Sequence, residues 1–178
     1  FTEGGRSHPH LTDGERDGLV GLRLAETDSA YAAAGIVAVR HRLGLPDGRA
    51  SDHAGRLAGR LADLLAGAAW CLAPWESDGH PDHDVCGRVA GGTCRELGVR
   101  FARFPVWSWN WDDPSSPSIP FDSAVAWSFG DDLAARKQAG IAAYSSQVQS
   151  ADGHRPVLPA EFLEHFARSS EVFLPFSG

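Results

Sequence analysis

Apolar and polar residues alternate along the chain with the period of a helix in some segments and of a strand in others. The first helical pattern begins at a capping box, Thr12 to Glu15, and continues to about Ala34, where Gly35 ends it. A β-branched run over 36–43 predicts a strand, and Asp52 can cap a second helix whose leucines share one face. Alternating helices and strands are typical of an α/β fold with a parallel sheet.

The middle of the chain continues this alternation. The uninterrupted apolar run Ala68–Ala73 predicts a strand buried on both faces, as in a mostly parallel sheet. A helix over 84–97 and a strand over 99–107 follow, and 108–123 is a long loop rich in Pro, Ser and Asp. The Gly91-Gly92 pair in that helix costs about 1 kcal/mol per glycine relative to Ala, so we expect a close contact there. The remaining predicted elements are two helices and a short strand, over 131–146, 159–169 and 171–174.

The loop over 74–83 carries the most chemistry, because ligands of such sheets bind beyond the carboxyl ends of the strands. It holds two aspartates, Asp78 and Asp82, and two histidines, His80 and His83. If His83 opens the next helix, the helix dipole favours the neutral ring that binds metals. Two ligands do not complete a zinc site, which usually has three protein ligands and a water. Metal binding and a solvated polar turn therefore both remain open for this pair.

Three other groups are weaker candidates. Arg23 and Glu26 lie three residues apart on the first helix, so they either pair at the surface or reach the ligand-binding edge of the sheet. Asp47 is a natural turn former, and only its place after a predicted strand suggests a function. The segment Ser7-His8-Pro9-His10 can bind a metal but better fits a flexible polar loop.

Tryptophans occupy alternate positions in the segment "PVWSWNW". On a strand, Trp107, Trp109 and Trp111 would line one face. Core packing and the wall of a pocket for sugar rings are both compatible with this pattern. We take Trp109 as the candidate substrate contact.

Composition excludes several classes of function. The net charge of -7 argues against a nucleic-acid partner, and no apolar run approaches the roughly 18 residues of a membrane span. Three cysteines do not make a disulfide framework, so we expect a reducing, cytoplasmic location. Cys71 lies in a predicted strand, and Cys86 and Cys94 lie in a predicted helix. A Cys–His nucleophilic hydrolase is therefore a poor interpretation.

The segment "APWESDGHPDHDVCGRVA" resembles the PIG-L (LmbE-like) deacetylases, whose members carry Gly-His-Pro-Asp-His after a central strand. Further segments resemble this family in the same order along nearly the whole chain. They are "FTEGGRSHP", "LRLAE", "RLGLPDG", "FPVWSWNW", "RKQAGIAAYSSQV" and "LPAEFLEHFARSSEVF".

The resemblance implies a Rossmann-like, three-layer α/β/α fold and a zinc-dependent N-deacetylase. The expected substrate is a small molecule, an N-acetylated amino sugar or a related glycoside. By resemblance His83 is a zinc ligand, and His80 assists the oxyanion or the departing amine. Arg23 and Asp47 are candidates for holding substrate hydroxyls.

One family motif, His-Pro-Asp-Asp after the first strand, does not occur in this sequence. We therefore expect 1–178 to be a single domain of this family without its first strand and helix. About 50 residues before Phe1, the length of one βαβ crossover, would then supply the remaining zinc ligands. If the chain is complete, the alternative is a non-catalytic, sugar-binding relative. The sequence leaves the exact substrate and the oligomeric state open.

Overall fold

The computed structural model describes residues 2–8, 11–113, 115–150 and 155–175. The helices are α1 (Asp13–Ala34), α2 (Ala54–Leu65), α3 (Pro81–Leu97), α4 (Ser108–Trp111), α5 (Asp131–Ala142), α6 (Ser145–Val148) and α7 (Ala160–Leu163). The strands are β1 (Trp70–Pro74), β2 (Arg100–Phe104), β3 (Val125–Ser128) and β4 (Ser170–Pro175). Short 3-10 turns cover Ala50–His53, Phe121–Ser123 and Glu164–Phe166. Across these described ranges, no helix is both long enough and apolar enough to cross a membrane.

The chain forms two compact units. The first unit comprises Phe1–Asp47 and Ser128–Ser170, and the second comprises Gly48–Trp127 and Glu171–Gly178. The expectation of one family domain over 1–178 stays a prediction.

Helices α1 and α5 pack together in the first unit. The predicted capping box opens α1: Thr12 N–H donates to the Glu15 carboxylate over 2.8 Å, and Glu15 N–H donates back to the Thr12 hydroxyl. Gly35 ends the helix at φ 64°, a left-handed conformation that glycine adopts without strain. A Cβ at Gly140 of α5 would lie 3.2 Å from the Ala34 Cβ, so small residues allow the two helices to approach closely.

The strand predicted over 36–43 is wrong. This segment follows α1 without secondary structure, and within the described part of the chain it pairs with no strand. Val37 is fully exposed and Val39 is 82% exposed. A β-branched pattern indicates a preference for extended backbone, but a strand forms only where a neighbouring strand accepts its hydrogen bonds.

The second unit is built on a four-stranded sheet in the order β1-β2-β4-β3. Strand β1 pairs in parallel with β2, from Trp70 opposite Arg100 to Pro74 opposite Phe104. Strand β2 pairs antiparallel with β4, which makes the sheet mixed. The predicted α/β class is confirmed. Sequence patterning missed β3, since four residues that are all exposed give no periodic signal.

One face of β1 and β2 packs against α2 and α3. The buried apolar residues of this layer are Leu65, Ala73, Ala90, Cys94 and Phe101. A Cβ at Gly91 would lie 3.0 Å from the Phe101 ring, so the expected close contact is confirmed there. At Gly92 the same atom would meet open space among the described residues.

The other face of β1 is partly open, which contradicts the prediction of a strand buried on both faces. Trp70 is 52% exposed and Leu72 is 53% exposed. They line an apolar groove of about 1090 Å³ together with Val125, Trp127 and Phe173. A continuous apolar run shows that a strand can be covered on both sides, but it does not show how many layers pack on the sheet.

Candidate active site

The candidate site of the second unit lies in the loop between β1 and α3. β1 ends at Pro74, and α3 begins at Pro81 with His80 as its N-cap. Proline suits the first helical position because it has no N–H to leave unsatisfied there. Gly79 has φ 80°, which only glycine adopts readily, and it turns the chain into the helix.

Asp78 and His83 form the central contact of this loop. The Nδ1 atom of His83 lies 2.6 Å from Oδ2 of Asp78. The Asp78 side chain is completely buried, whereas the His83 ring is 20% exposed. The imidazole is therefore held from the buried side and keeps a route to solvent on the other.

Asp78 also holds the segment that follows β2. Its Oδ1 accepts hydrogen bonds from Val106 N–H at 2.8 Å, from Ser108 N–H at 3.0 Å and from the Ser108 hydroxyl at 2.7 Å. Its Oδ2 accepts one from Trp107 N–H at 2.9 Å. Burial alone would raise the pKa of Asp78, but the hydrogen bonds from His83 and from these three amides outweigh it and lower that pKa. The group is therefore an ionised, fully bonded acceptor.

His80 lies beside His83 and against an aromatic ring. The centroids of the two imidazoles are 4.7 Å apart, and the Trp107 indole stacks on His80 with a centroid distance of 6.4 Å. Nδ1 of His80 accepts a hydrogen bond from Asp82 N–H at 3.3 Å. This contact caps α3.

Asp82 ties the same helix to another loop. Its side chain is 1% exposed and accepts hydrogen bonds from Gly48 N–H at 2.8 Å and Ala50 N–H at 3.0 Å. Asp78 and Asp82 thus bind backbone amides of two separate segments.

The structure separates the three alternating tryptophans, because 108–111 is helical rather than extended. Trp107 faces His80, whereas the Trp111 indole N–H donates to the backbone oxygen of Asp78 at 2.9 Å. Trp109, the predicted substrate contact, packs against the apolar cluster of the second unit and lies 5.9 Å from the Phe121 ring.

Arg23 and Glu26 belong to the first unit, and both are buried, at 6% and 5% exposure. The interpretation of a surface ion pair is therefore wrong. The Arg23 guanidinium donates to the backbone oxygen of Gly4 and to the Ser7 hydroxyl. Burial lowers the pKa of Arg23, while the charges of Asp47 and Glu26 act in the opposite direction.

The carboxylate of Glu26 holds the start of α6. It accepts hydrogen bonds from Ser146 N–H at 2.7 Å, from the Ser146 hydroxyl at 2.7 Å and from the Ser145 hydroxyl at 2.8 Å. Burial alone would raise the pKa of Glu26, but these hydrogen bonds outweigh burial, so the pKa is lowered.

Asp47 is also engaged within the first unit. It accepts hydrogen bonds from Arg6 N–H at 2.9 Å and from the Thr2 hydroxyl at 3.4 Å. In the neighbouring His-Pro-His segment, His8 lies 2.9 Å from the Ser7 hydroxyl, and Pro9 and His10 fall outside the described residues.

Among the described residues no cluster of three or more His, Cys, Asp or Glu side chains could hold a metal ion. All three cysteines are free. Burial raises the pKa of Cys71 and of Cys86 to about 12, which leaves little nucleophilic thiolate at neutral pH.

Sequence patterns singled out Asp78 and Trp107 as residues but did not identify their contacts with His83 and His80. Their contacts join positions about 30 residues apart, so no local periodicity reveals them. The sequence offered one indication of a role for Asp78, because this carboxylate lies between an apolar run and two histidines.

The fold and site define an α/β protein with a carboxylate-bound histidine and a second imidazole at the carboxyl end of a strand. The family model described as PIG-L, GlcNAc-PI de-N-acetylase, matches residues 1–92. The chain therefore belongs to the PIG-L family. No curated protein sequence matches it.

Solved structures of similar fold are deacetylases of antibiotic pathways. The A40926 pseudoaglycone deacetylase Dbv21 matches with a TM-score of 0.66 and 16% sequence identity. The superposition covers 97% of this chain and 77% of the Dbv21 chain. A triple mutant of a teicoplanin-pathway deacetylase, Orf2*T, matches with a TM-score of 0.66 and 18% sequence identity, over 88% of this chain and 70% of the Orf2*T chain. The zinc-inhibited form of the teicoplanin deacetylase Orf2 matches with a TM-score of 0.53 and 16% sequence identity, over 88% of this chain and 73% of the Orf2 chain. These likenesses establish the fold.

Proposed function

We propose that this protein is an N-deacetylase that hydrolyses the acetamido group of an N-acetylated amino sugar or a related glycoside. Membership of the PIG-L family supports this reaction, and solved deacetylases share the fold. The observation that carries the proposal is the Asp78–His83 hydrogen bond beside the His80 ring at the end of β1. A held imidazole and a second one next to it are suited to bind and protonate groups of one small substrate.

The proposal includes a divalent metal ion, expected to be zinc, with His83 as one of its ligands. The chemistry of this donor fits, since a ligating histidine usually donates its other ring N–H to a carboxylate, as His83 can to Asp78. When bound, zinc lowers the pKa of a coordinated water and polarises an amide carbonyl. The described residues contain no complete set of donors, so the other ligands must come from outside them.

His80 is proposed to assist the bond changes. Because its Nδ1 accepts the Asp82 N–H, a neutral His80 ring carries its proton on Nε2. That N–H can stabilise the carbonyl oxygen as it becomes an oxyanion. His80 could protonate the nitrogen as the C–N bond breaks only from its imidazolium form, because a neutral ring that gave up its one proton would become an imidazolate. The water oxygen leaves in acetate, and the sugar nitrogen leaves as an amine.

The Trp107 indole, packed on His80, offers a flat face against which a sugar ring can stack. Arg23, Asp47 and Trp109 stay predicted substrate contacts. The hydrogen bonds that engage Arg23 and Asp47 within their own unit support a second role for both, as supports of the N-terminal turn.

The test is release of acetate from N-acetylglucosamine glycosides by the full natural protein, with and without added zinc. We expect equal amounts of acetate and free amine, a loss of activity after chelation, and a loss of at least about 100-fold in His80→Ala and His83→Ala. His41→Ala, which removes an exposed histidine of the first unit, is the matched control and should behave as wild type.

Two outcomes would reject the proposal. Saturable sugar binding without acetate release would favour the non-catalytic, sugar-binding alternative. Full activity of His83→Ala would show that the deacetylase chemistry takes place elsewhere.

A further inference from the structure

We propose that Asp78 is a positioning residue that fixes the tautomer of His83, so that Nδ1 carries the ring proton and Nε2 keeps its lone pair for a ligand. This inference rests on the proposed function, in which His83 binds the metal ion. It adds Asp78 to the proposed site, as a residue that acts on the metal ion only through the His83 side chain.

The hydrogen bonds around Asp78 determine which partner supplies the proton. Its Oδ2 lies 2.6 Å from His83 Nδ1 and 2.9 Å from the Trp107 amide, and backbone amides can only donate. Its Oδ1 receives two further amides and the Ser108 hydroxyl. A carboxyl group with this many donors on both oxygens serves as an acceptor throughout, so His83 must donate.

Burial makes this assignment exclusive. Asp78 has no solvent exposure, so water cannot replace His83 as its partner at Oδ2. The other neutral tautomer, with its proton on Nε2, would turn the Nδ1 lone pair toward the buried carboxylate and leave this contact without a donor.

The same carboxylate ties the imidazole to the aromatic wall of the site. It fixes the backbone of 106–108, and the Trp107 ring stacks on His80. The Trp111 indole N–H also donates a hydrogen bond to the backbone oxygen of Asp78. One buried side chain therefore sets the orientation of His83 and the position of the ring beside His80.

The direct test is ¹⁵N NMR of the metal-free protein at a pH of about 8, where free imidazole is neutral. Two-bond couplings from the ring protons distinguish Nδ1–H from Nε2–H, and the signal that disappears in His83→Gln assigns His83. We expect the Nδ1–H form. The Nε2–H form, or an imidazolium with no lone pair, would overturn the inference.

Asp78→Asn tests the cause. The amide has nearly the same shape but places an N–H₂ donor where an acceptor stood, so it should switch His83 to the Nε2–H form. Zinc affinity of the full natural protein should fall about 10- to 100-fold. Asp82→Asn is the matched control: Asp82 is equally buried and lies in the first turn of α3, but its bonds go to Gly48 and Ala50, so the His83 tautomer should not change.

The outcomes separate this inference from the proposed function. If Asp78→Asn does not fold, the wild-type spectrum alone decides the inference. An unchanged tautomer in a folded Asp78→Asn, or the same switch in Asp82→Asn, would refute it. The expected tautomer in a protein that releases no acetate would refute the deacetylase proposal while leaving the positioning role intact.

Discussion

Replacing Gly87 with alanine tests how closely α3 must approach the end of β1 to present its histidines. Gly87 lies one helical turn after His83, on the side of α3 that faces the strand. A Cβ at this position would collide with the backbone oxygen of Pro74 and lie 2.9 Å from the backbone nitrogen of Glu76. Backbone atoms cannot rotate away, so α3 would have to shift, and His83 would shift with it.

The size of the effect follows from two opposing terms. Alanine in place of glycine inside a helix gains about 1 kcal/mol. Overpacking costs about 1–3 kcal/mol, and a collision with backbone belongs at the upper end of that range. We therefore expect Gly87→Ala to lower the free energy of unfolding by about 2 kcal/mol, a fall in Tm of about 4–8 °C for a chain of this size.

Gly92 of the same helix provides the matched control. A Cβ there meets open space among the described residues, so Gly92→Ala should raise the free energy of unfolding by up to about 1 kcal/mol. Urea denaturation of both variants measures the difference, expected to be about 3 kcal/mol. If Gly87→Ala proved as stable as Gly92→Ala, the close packing of α3 on β1 would be wrong.

Two further predictions concern ionisable groups. The folded-state pKa of Glu26 is lowered, so its contribution to stability is present above its unfolded value of about 4.3 and is lost as the pH falls through the folded value. Wild type should therefore lose more stability than Glu26→Gln between pH values of about 5 and 3 in urea titrations; equal losses would contradict the hydrogen bonds to Ser145 and Ser146. The raised pKa of Cys71 and Cys86 predicts alkylation at neutral pH at least about 100-fold slower than in unfolded protein, and equal rates would contradict it.

Local patterns predicted the elements whose signals are contained within a few residues. The capping box and Gly35 place both ends of α1, and the apolar run before Pro74 places β1. The segment over 36–43 shows the limit of this approach. Its residues favour extended backbone as strongly as those of β1 do, but pairing depends on a neighbouring strand that sequence pattern does not provide.

The sequence predicted the two histidines of the candidate site but not the hydrogen bonds that position them. His80 and His83 stand out by spacing, whereas the bonds of Asp78 reach residues 106–108 and those of Asp82 reach residues 48–50. These contacts exist only after β1 and β2 have paired and brought their following loops together. The tryptophans illustrate the same point, because a four-residue helix sends Trp107 and Trp109 to different surroundings.

Two buried carboxylates in one short loop are a costly way to stabilise a fold. Asp78 and Asp82 are 0% and 1% exposed, and transferring an ionised carboxylate from water costs several kcal/mol even after relaxation. Hydrogen bonds from five backbone amides, the Ser108 hydroxyl and His83 offset that cost. What apolar residues cannot do is hold an imidazole by one nitrogen and leave the other facing outward. The polar network therefore makes physical sense as a device for orienting His83. Removing either carboxylate would also leave buried backbone N–H groups without an acceptor, so stability and the orientation of His83 depend on the same side chains.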